Sequence, residues 1–314
     1  MQTPRVLAFE SNAGPRRVPQ PLRRRHCTRH VLGPPSSRRC VVARTACSAR
    51  GCGRLGRCRP CERAVSSLRE RWTAGKATFG AWCTIPSSWT AEVAARSGHD
   101  WVCIDTQHGL IGYDVMLPML QAISAGGVPS LVRVPWNEPG SIMKALDAGA
   151  GGIIVPMVNS VGEAKMAVAA CRYPPTGIRS MGPIRARAVD SEWRQPICVV
   201  MIETVEAVAR AREILAVPGI DAVFVGPNDL AVSAGLDSSY EASDPKHRRL
   251  IEEIIEAARA SGVAAGIMCG SADVALQWYR IGFVMLALQS DTRLLEAASA
   301  RIVAAARELI PGDV

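Results

Sequence analysis

The 314-residue sequence predicts a (β/α)8 barrel, and three observations predict it. From about residue 65, eight short apolar runs alternate with eight helix-like segments. The runs are apolar on both alternating faces, as expected of parallel strands covered by helices on either side. The alternation occupies about 250 residues, the usual length of a closed barrel rather than of an open doubly wound sheet.

The elements follow in order. SLRERWTAGK (67–76) reads as a short amphipathic lead-in helix, and FGAWCTI (79–85) as the first strand. SSWTAEVAARSG (87–98) starts with Ser and ends with Gly, the punctuation of a helix. Strands are then predicted at 101–106, 130–134, 152–156, 197–203, 222–226, 264–269 and 283–288. The helices between them fall at 114–127, 140–150, 161–172, 204–215, 245–260 and 271–282, and a last one runs from Asp291 to Ile310. A Pro-, Gly- and Arg-containing segment, 173–195, reads as a long loop.

Charge separates the chain into two parts. Residues 1–64 hold fifteen Arg against two acidic residues, Glu10 and Glu62, which leaves residues 65–314 at about −4 of the formal +9. The basic character therefore belongs to a tail, and nucleic-acid binding by the barrel is not expected. The tail lacks a periodic apolar pattern and cannot offset its own conformational entropy. It is expected to be a disordered or non-native extension, with 65–314 as the barrel domain. It holds six of the eleven cysteines, Cys27, Cys40, Cys47, Cys52, Cys58 and Cys61. Their irregular spacing makes a zinc site a minor reading, and a transit peptide is another. A protein acting through zinc or nucleic acid at this tail is the alternative from a different functional class. Cys83, Cys103, Cys171, Cys198 and Cys269 lie in apolar runs and read as reduced thiols of a cytoplasmic protein. No apolar run reaches the ~18 residues that span a bilayer, so no membrane partner is expected.

A barrel places its chemistry at the C-terminal ends of the strands. WVCIDTQHG (101–109) delivers Asp105 and His108 there, three residues apart across a turn, close enough for the carboxylate to orient the imidazole. Arg133 sits near the end of the third strand, Glu203 ends the fifth, and Asn228 and Asp229 follow the sixth. Each has an ordinary alternative as a cap, a turn residue or a rim ion pair. Jointly they describe a site, because Glu203 and Asp229 come from neighbouring strands and would crowd two negative charges. Such a pair favours a shared proton or a divalent cation, and its oxygen-only donors suit Mg²⁺, Mn²⁺ or Co²⁺. A Schiff-base mechanism needs a lysine at a strand end. Lys76, Lys144, Lys165 and Lys246 all fall on predicted helices or the lead-in. A nicotinamide enzyme is disfavoured because no G-x-G-x-x-G follows a strand.

Between about Gly80 and Leu309 the chain resembles the HpcH/HpaI family of class II, pyruvate-dependent aldolases, of the 2,4-dihydroxyhept-2-ene-1,7-dioate aldolase type. The resemblance is carried by DWVCIDTQHG, SLVRVPWNEPGSIMKALDAGAGGIIVPMV, RYPPTGIRSMG, MIET and FVGPNDLAVSAG in that order. It implies a metal-dependent lyase that cleaves a 4-hydroxy-2-oxo acid to pyruvate and an aldehyde by retro-aldol reaction through a metal-stabilised enolate. It further implies Glu203 and Asp229 as metal ligands and His108 with Asp105 as the catalytic dyad. Arg133 then binds the pyruvate oxygen, and Asp147 reaches into a neighbouring subunit's site. A last helix exchanged between subunits and a homohexamer are also implied. The backbone around Gly226, Pro227 and Asn228 is expected to receive the pyruvate carboxylate. Trp82, Met268 and the segment Tyr173–Arg187 are expected to line the mouth. An acyl-CoA lyase of the citrate-lyase β type is the nearest rival, but it calls for a basic groove that the acidic barrel does not suggest. Gln107 and Met201 are departures: the best-known members of the family have Glu at the first position, and some members have Gln at the second.

Overall fold

The computed structural model describes residues 64–190 and 192–310. The readings made for the N-terminal extension, including the cysteine cluster up to Cys61, lie outside the described residues. Eight strands form the barrel: β1 (Thr78–Cys83), β2 (Trp101–Asp105), β3 (Ser130–Arg133), β4 (Gly152–Val155), β5 (Ile197–Ile202), β6 (Ala222–Val225), β7 (Ala264–Cys269) and β8 (Met285–Ser290). They pair in sequence order and the sheet closes on itself. All eight pairings are parallel. The closing pair, β1 with β8, shifts register between Gly80 and Trp82, where Trp82 comes opposite Ser290.

The helices are α1 (Ala64–Thr73), α2 (Ser88–Arg96), α3 (Tyr113–Gly126), α4 (Pro139–Asp147), α5 (Val161–Cys171) and α6 (Arg185–Val189). They continue with α7 (Val205–Ala209), α8 (Ala211–Leu215), α9 (Pro227–Ser233), α10 (Pro245–Ser261), α11 (Ala272–Ile281) and α12 (Asp291–Leu309). Their starts are chemically marked. Ser87, Ser160, Thr204, Ser271 and Ser290 each accept a backbone N–H from the first turn of the helix that follows. Gly127, Gly262 and Gly282 end α3, α10 and α11 in left-handed geometry.

Two apolar layers result. The larger lies between strands and helices; the smaller fills the barrel interior with Trp82, Trp101, Leu131, Met201, Phe224 and Met285. The α1 helix closes the N-terminal end, inserting Leu68 and Trp72 into the interior cluster. Trp72 and Trp101 both donate their indole N–H to Thr78 Oγ1, at 2.8 and 3.3 Å. Gly80 makes room for this packing, since a Cβ there would stand 2.2 Å from the Trp101 ring. Charges at this floor are paired: Arg69 with Asp221 at 2.7 Å, Arg179 with Asp147 at 2.6 Å, and Arg71 with Asp100.

The predicted strands recur with ends moved by a residue or two; the last lies two residues later than expected, at Met285–Ser290. The expected helix at 204–215 divides at Arg210, whose backbone leaves helical geometry. Two short helices were not expected, α6 within the long loop and α9 after β6. The α12 helix buries none of its nineteen residues, although Leu294, Leu295, Ile302 and Val303 lie on it. Among the described residues no helix is long and apolar enough to cross a membrane.

Candidate active site

The C-terminal ends of the strands enclose a cavity of about 230 Å³. Small-molecule sites commonly span ~300–1,000 Å³, so the enclosed space is at the small end of that class. Asp105, His108, Arg133, Glu203 and Asp229, each expected at the rim, all line it. So do Trp82, Gly226, Pro227, Asn228 and Met268.

One side of the cavity is organised by Asp105, which ends β2 and is buried. Arg133 ends the neighbouring β3, directly opposite it in register. The two form a bidentate pair, Nε to Oδ1 at 2.9 Å and an Nη to Oδ2 at 2.6 Å. Trp82 Nε1 donates to Oδ2 at 3.2 Å, and the Arg133 guanidinium lies 5.0 Å from the Trp82 ring centroid. Burial pushes the Asp105 carboxyl up, but hydrogen bonds and charge from Arg133 more than offset it and hold the group below its ordinary value. Oδ1 also accepts the backbone N–H groups of Gln107 and His108, at 3.0 and 3.2 Å. The contact between Asp105 and His108 therefore runs through the backbone of His108, not its imidazole. Arg133 holds both carboxylate oxygens, and the turn closes on what remains. Gly109 is required in that turn, since a Cβ there would stand 2.2 Å from the Asp105 carbonyl oxygen. His108 is exposed on the cavity wall.

The opposite side carries Glu203 and Asp229. Glu203 follows β5 and is buried; Asp229 is in the first turn of α9 and is exposed. Met157, after β4, adopts φ 55° and donates its backbone N–H to Glu203 Oε2 at 2.9 Å. Gly226 lies against Glu203, and a Cβ there would be 2.3 Å from Oε1. Burial pushes the Glu203 carboxyl up to about 7; the Met157 N–H and Arg133 act against the rise, and the Asp229 charge adds to it. Neither carboxylate forms a salt bridge among the described residues, and Asn228 Oδ1 is buried without a partner. This is uncompensated negative charge and acceptor capacity facing one cavity, and it fits a hard divalent cation. Among the described residues no cluster of three or more His, Cys, Asp or Glu could hold a metal. Two carboxylates alone suit an ion of the Mg²⁺ kind, which keeps several water or substrate oxygens.

Asp147 lies elsewhere. It ends α4 beside the barrel floor, one-third exposed and paired with the buried Arg179. The segment Tyr173–Arg187 does not line the cavity, contrary to expectation. It leads from α5 into β5, and a helix-to-strand connection emerges at the end of the barrel opposite the rim. Of the two departures from the family pattern, Met201 lines the cavity, whereas Gln107 leaves a buried Oε1 unpartnered. Sequence reasoning missed Thr84, Phe224, Tyr240, Cys269, Gly270, Gln289, Ser290 and Arg293, which complete the lining. Their one available signal was position, since most of them end or follow predicted strands.

A model of the family described as HpcH/HpaI aldolase/citrate lyase matches residues 78–298. A hydroxypyruvate/pyruvate aldolase from Rhizorhabdus wittichii is 38% identical over 251 residues, covering 78% of this chain and 100% of that protein. A 4-hydroxy-2-oxo-heptane-1,7-dioate aldolase from Escherichia coli is 37% identical over 265 residues, covering 79% and 98%. The crystal structure of a family member from Burkholderia cenocepacia superposes with a TM-score of 0.72 at 31% identity, over 77% of this chain and 99% of that one.

Proposed function

From the premise that the chain belongs to the HpcH/HpaI aldolase/citrate lyase family, and is thereby a carbon–carbon lyase, we propose that it cleaves 4-hydroxy-2-oxo acids to pyruvate and an aldehyde. The observation that carries this reading is the meeting of Glu203, Asp229, Arg133 and His108 around one cavity. Glu203 and Asp229 would hold a divalent cation, Mg²⁺, Mn²⁺ or Co²⁺, which supplies Lewis acidity to the oxygens of the 2-oxo acid. Arg133 adds a positive charge at the oxygen where negative charge develops as the C3–C4 bond breaks. Its bidentate pair with Asp105 and its place against Trp82 fix that guanidinium in advance. Backbone N–H groups from Gly226 to Asp229, Pro227 excepted, receive the pyruvate carboxylate. His108, exposed on the wall, takes the 4-hydroxyl proton during cleavage and returns it during addition. Asp105 holds the His108 turn through the backbone rather than through the ring. Pyruvate release from a panel of 4-hydroxy-2-oxo acids, with and without each cation, tests the reading. Release that persists undiminished after chelation sinks the metal-dependent mechanism.

The assembly reading is part of the same proposal. The exposed apolar residues of α12 support its exchange between subunits, and Asp147, too far from its own rim, would complete a neighbour's site in a homohexamer. Co-assembled Asp147→Ala and His108→Ala chains should recover part of the activity each lacks alone. A fully active monomer in sedimentation at assay concentration would remove this part. The free, buried thiols of the barrel support a reducing, cytoplasmic setting.

A further inference from the structure

The rim between β6 and β8 holds a cation that the aldolase reading does not use. Arg293 lies in the first turn of α12, where its backbone N–H is capped by Ser290 Oγ at 3.4 Å, and its side chain lines the cavity. Its guanidinium carbon stands 4.8 Å from the centroid of the Tyr240 ring. No carboxylate pairs with it among the described residues. The nearby Asp291 is committed elsewhere, to Thr84 N–H and Oγ1 at 2.8 and 2.7 Å and to Ile85 N–H at 3.2 Å. Arg133, the other arginine of the lining, is taken by Asp105.

The wall behind Arg293 is built rather than incidental. Tyr240 packs beside Gly270, where an added Cβ would stand 3.5 Å from the tyrosine Cβ. Gln289 holds φ 60° and donates its side-chain N–H to the Gly270 carbonyl, which ties the ends of β7 and β8 together. A guanidinium stacked on a ring covers one π-face, while its N–H donors point outward in the plane as a fork matched to a carboxylate. The remaining outer lining, Thr84, Met268, Gln289 and Ser290, is uncharged.

We propose that Arg293, stacked on Tyr240, is a subsite for an anionic group on the aldehyde half of the substrate, and so selects acidic over neutral aldehydes. The proposal rests on the aldolase reading. With the pyruvate half held between Arg133 and the Gly226–Asp229 backbone, the aldehyde chain extends toward the mouth. Arg293 is the unpaired cation it meets there. A terminal carboxylate forms a charge-assisted, two-point contact with the guanidinium. A neutral chain of the same length does not. Arg293 thus acts on recognition of the aldehyde, apart from the groups that handle proton and enolate.

The test is the aldol addition of pyruvate to two four-carbon aldehydes, succinic semialdehyde and butanal, in the oligomer as purified. The wild type should favour the acid in kcat/KM. Arg293→Gln should lower the acid-to-neutral ratio by about 10- to 100-fold, mainly through the KM of the acid, the range of a charged hydrogen bond. Arg293→Lys should restore part of the ratio, and Arg293→Glu should invert the preference. Arg293 is exposed, so these variants should fold. An acid-to-neutral ratio that Arg293→Gln leaves unmoved, or a wild type indifferent to the carboxylate, overturns the subsite while butanal addition upholds the aldolase. Failure of the wild type with both aldehydes, together with no exchange of pyruvate methyl protons, overturns the aldolase reading and the subsite with it.

Discussion

The two ends of this barrel treat charge differently. At the floor each buried or half-buried ion has its counterpart. Asp221 accepts from Arg69 and from the Cys198 N–H, and Asp147 accepts from Arg179. Among the described residues of the rim one pair, Asp105 with Arg133, is satisfied, whereas Glu203 is buried with no salt bridge and Asp229 faces the same cavity. Uncompensated charge costs stability unless something binds it. The Asp221 cluster of the floor is therefore read as structural, Asp147 keeping its proposed place in a neighbour's site, and the rim as a place prepared for a ligand.

The strongest way to break that contrast is to remove the rim acids. Glu203→Ala and Asp229→Ala should each take divalent-dependent pyruvate release to background, with circular dichroism close to wild type and no fall in melting temperature. An active Glu203→Ala protein would place the cation elsewhere. His108→Ala should depress cleavage by about 10²–10⁴-fold, the usual worth of general acid–base catalysis. Calorimetric divalent binding should persist in that variant, and its loss would recast His108 as a ligand.

Asp105 sharpens the contrast because it is the rim carboxylate that behaves like the floor. Its folded-state pKa lies below the ordinary 3.8. Ionisation therefore stabilises the fold above that value, and the contribution disappears as pH falls through the folded pKa. Asp105→Asn should cost about 3–5 kcal/mol at pH 7, the cost of stranding a buried partner. The gap to wild type should narrow below about pH 4 in denaturant titrations. A gap constant with pH would mean that Asp105 acts by shape rather than charge. The smallest effect belongs to the floor itself. Asp221→Ala should lower stability by about 1–3 kcal/mol, the cost of lost hydrogen-bond partners, with kcat/KM retained. A comparable loss of activity would deny that the two ends are separable.

Much of this architecture was legible in the residues, for physical reasons that can be named. Parallel strands buried on both faces leave continuous apolar runs, and all eight showed. The last was misplaced because Phe283 and Val284 are apolar and buried but precede the ladder that begins at Met285. The α9 helix was invisible because seven residues are too few for periodicity and Gly-Pro at its start reads as a turn. Spacing put Asp105 and His108 on one turn, where the carboxylate accepts the His108 backbone N–H rather than orienting the imidazole. Spacing could not show that Arg133 would occupy the carboxylate, since that depends on the register of β2 against β3. Tyr240, Gln289 and Arg293 carry no motif. Closure of the barrel brings them to one wall, and that is a property of the fold rather than of any stretch of chain.

Gly226 has a consequence for how such a site would look to genetics. A methyl group at this position would stand 2.3 Å from Glu203 Oε1, so the buried carboxylate would have to leave the place where the Met157 N–H holds it. In a saturation library scored by growth on the substrate, every replacement there should fail alongside replacements of the acid itself. A position that donates no side chain would then rank with the acids and bases of the reaction. The library would be reporting the shape of the space reserved for another residue's oxygen.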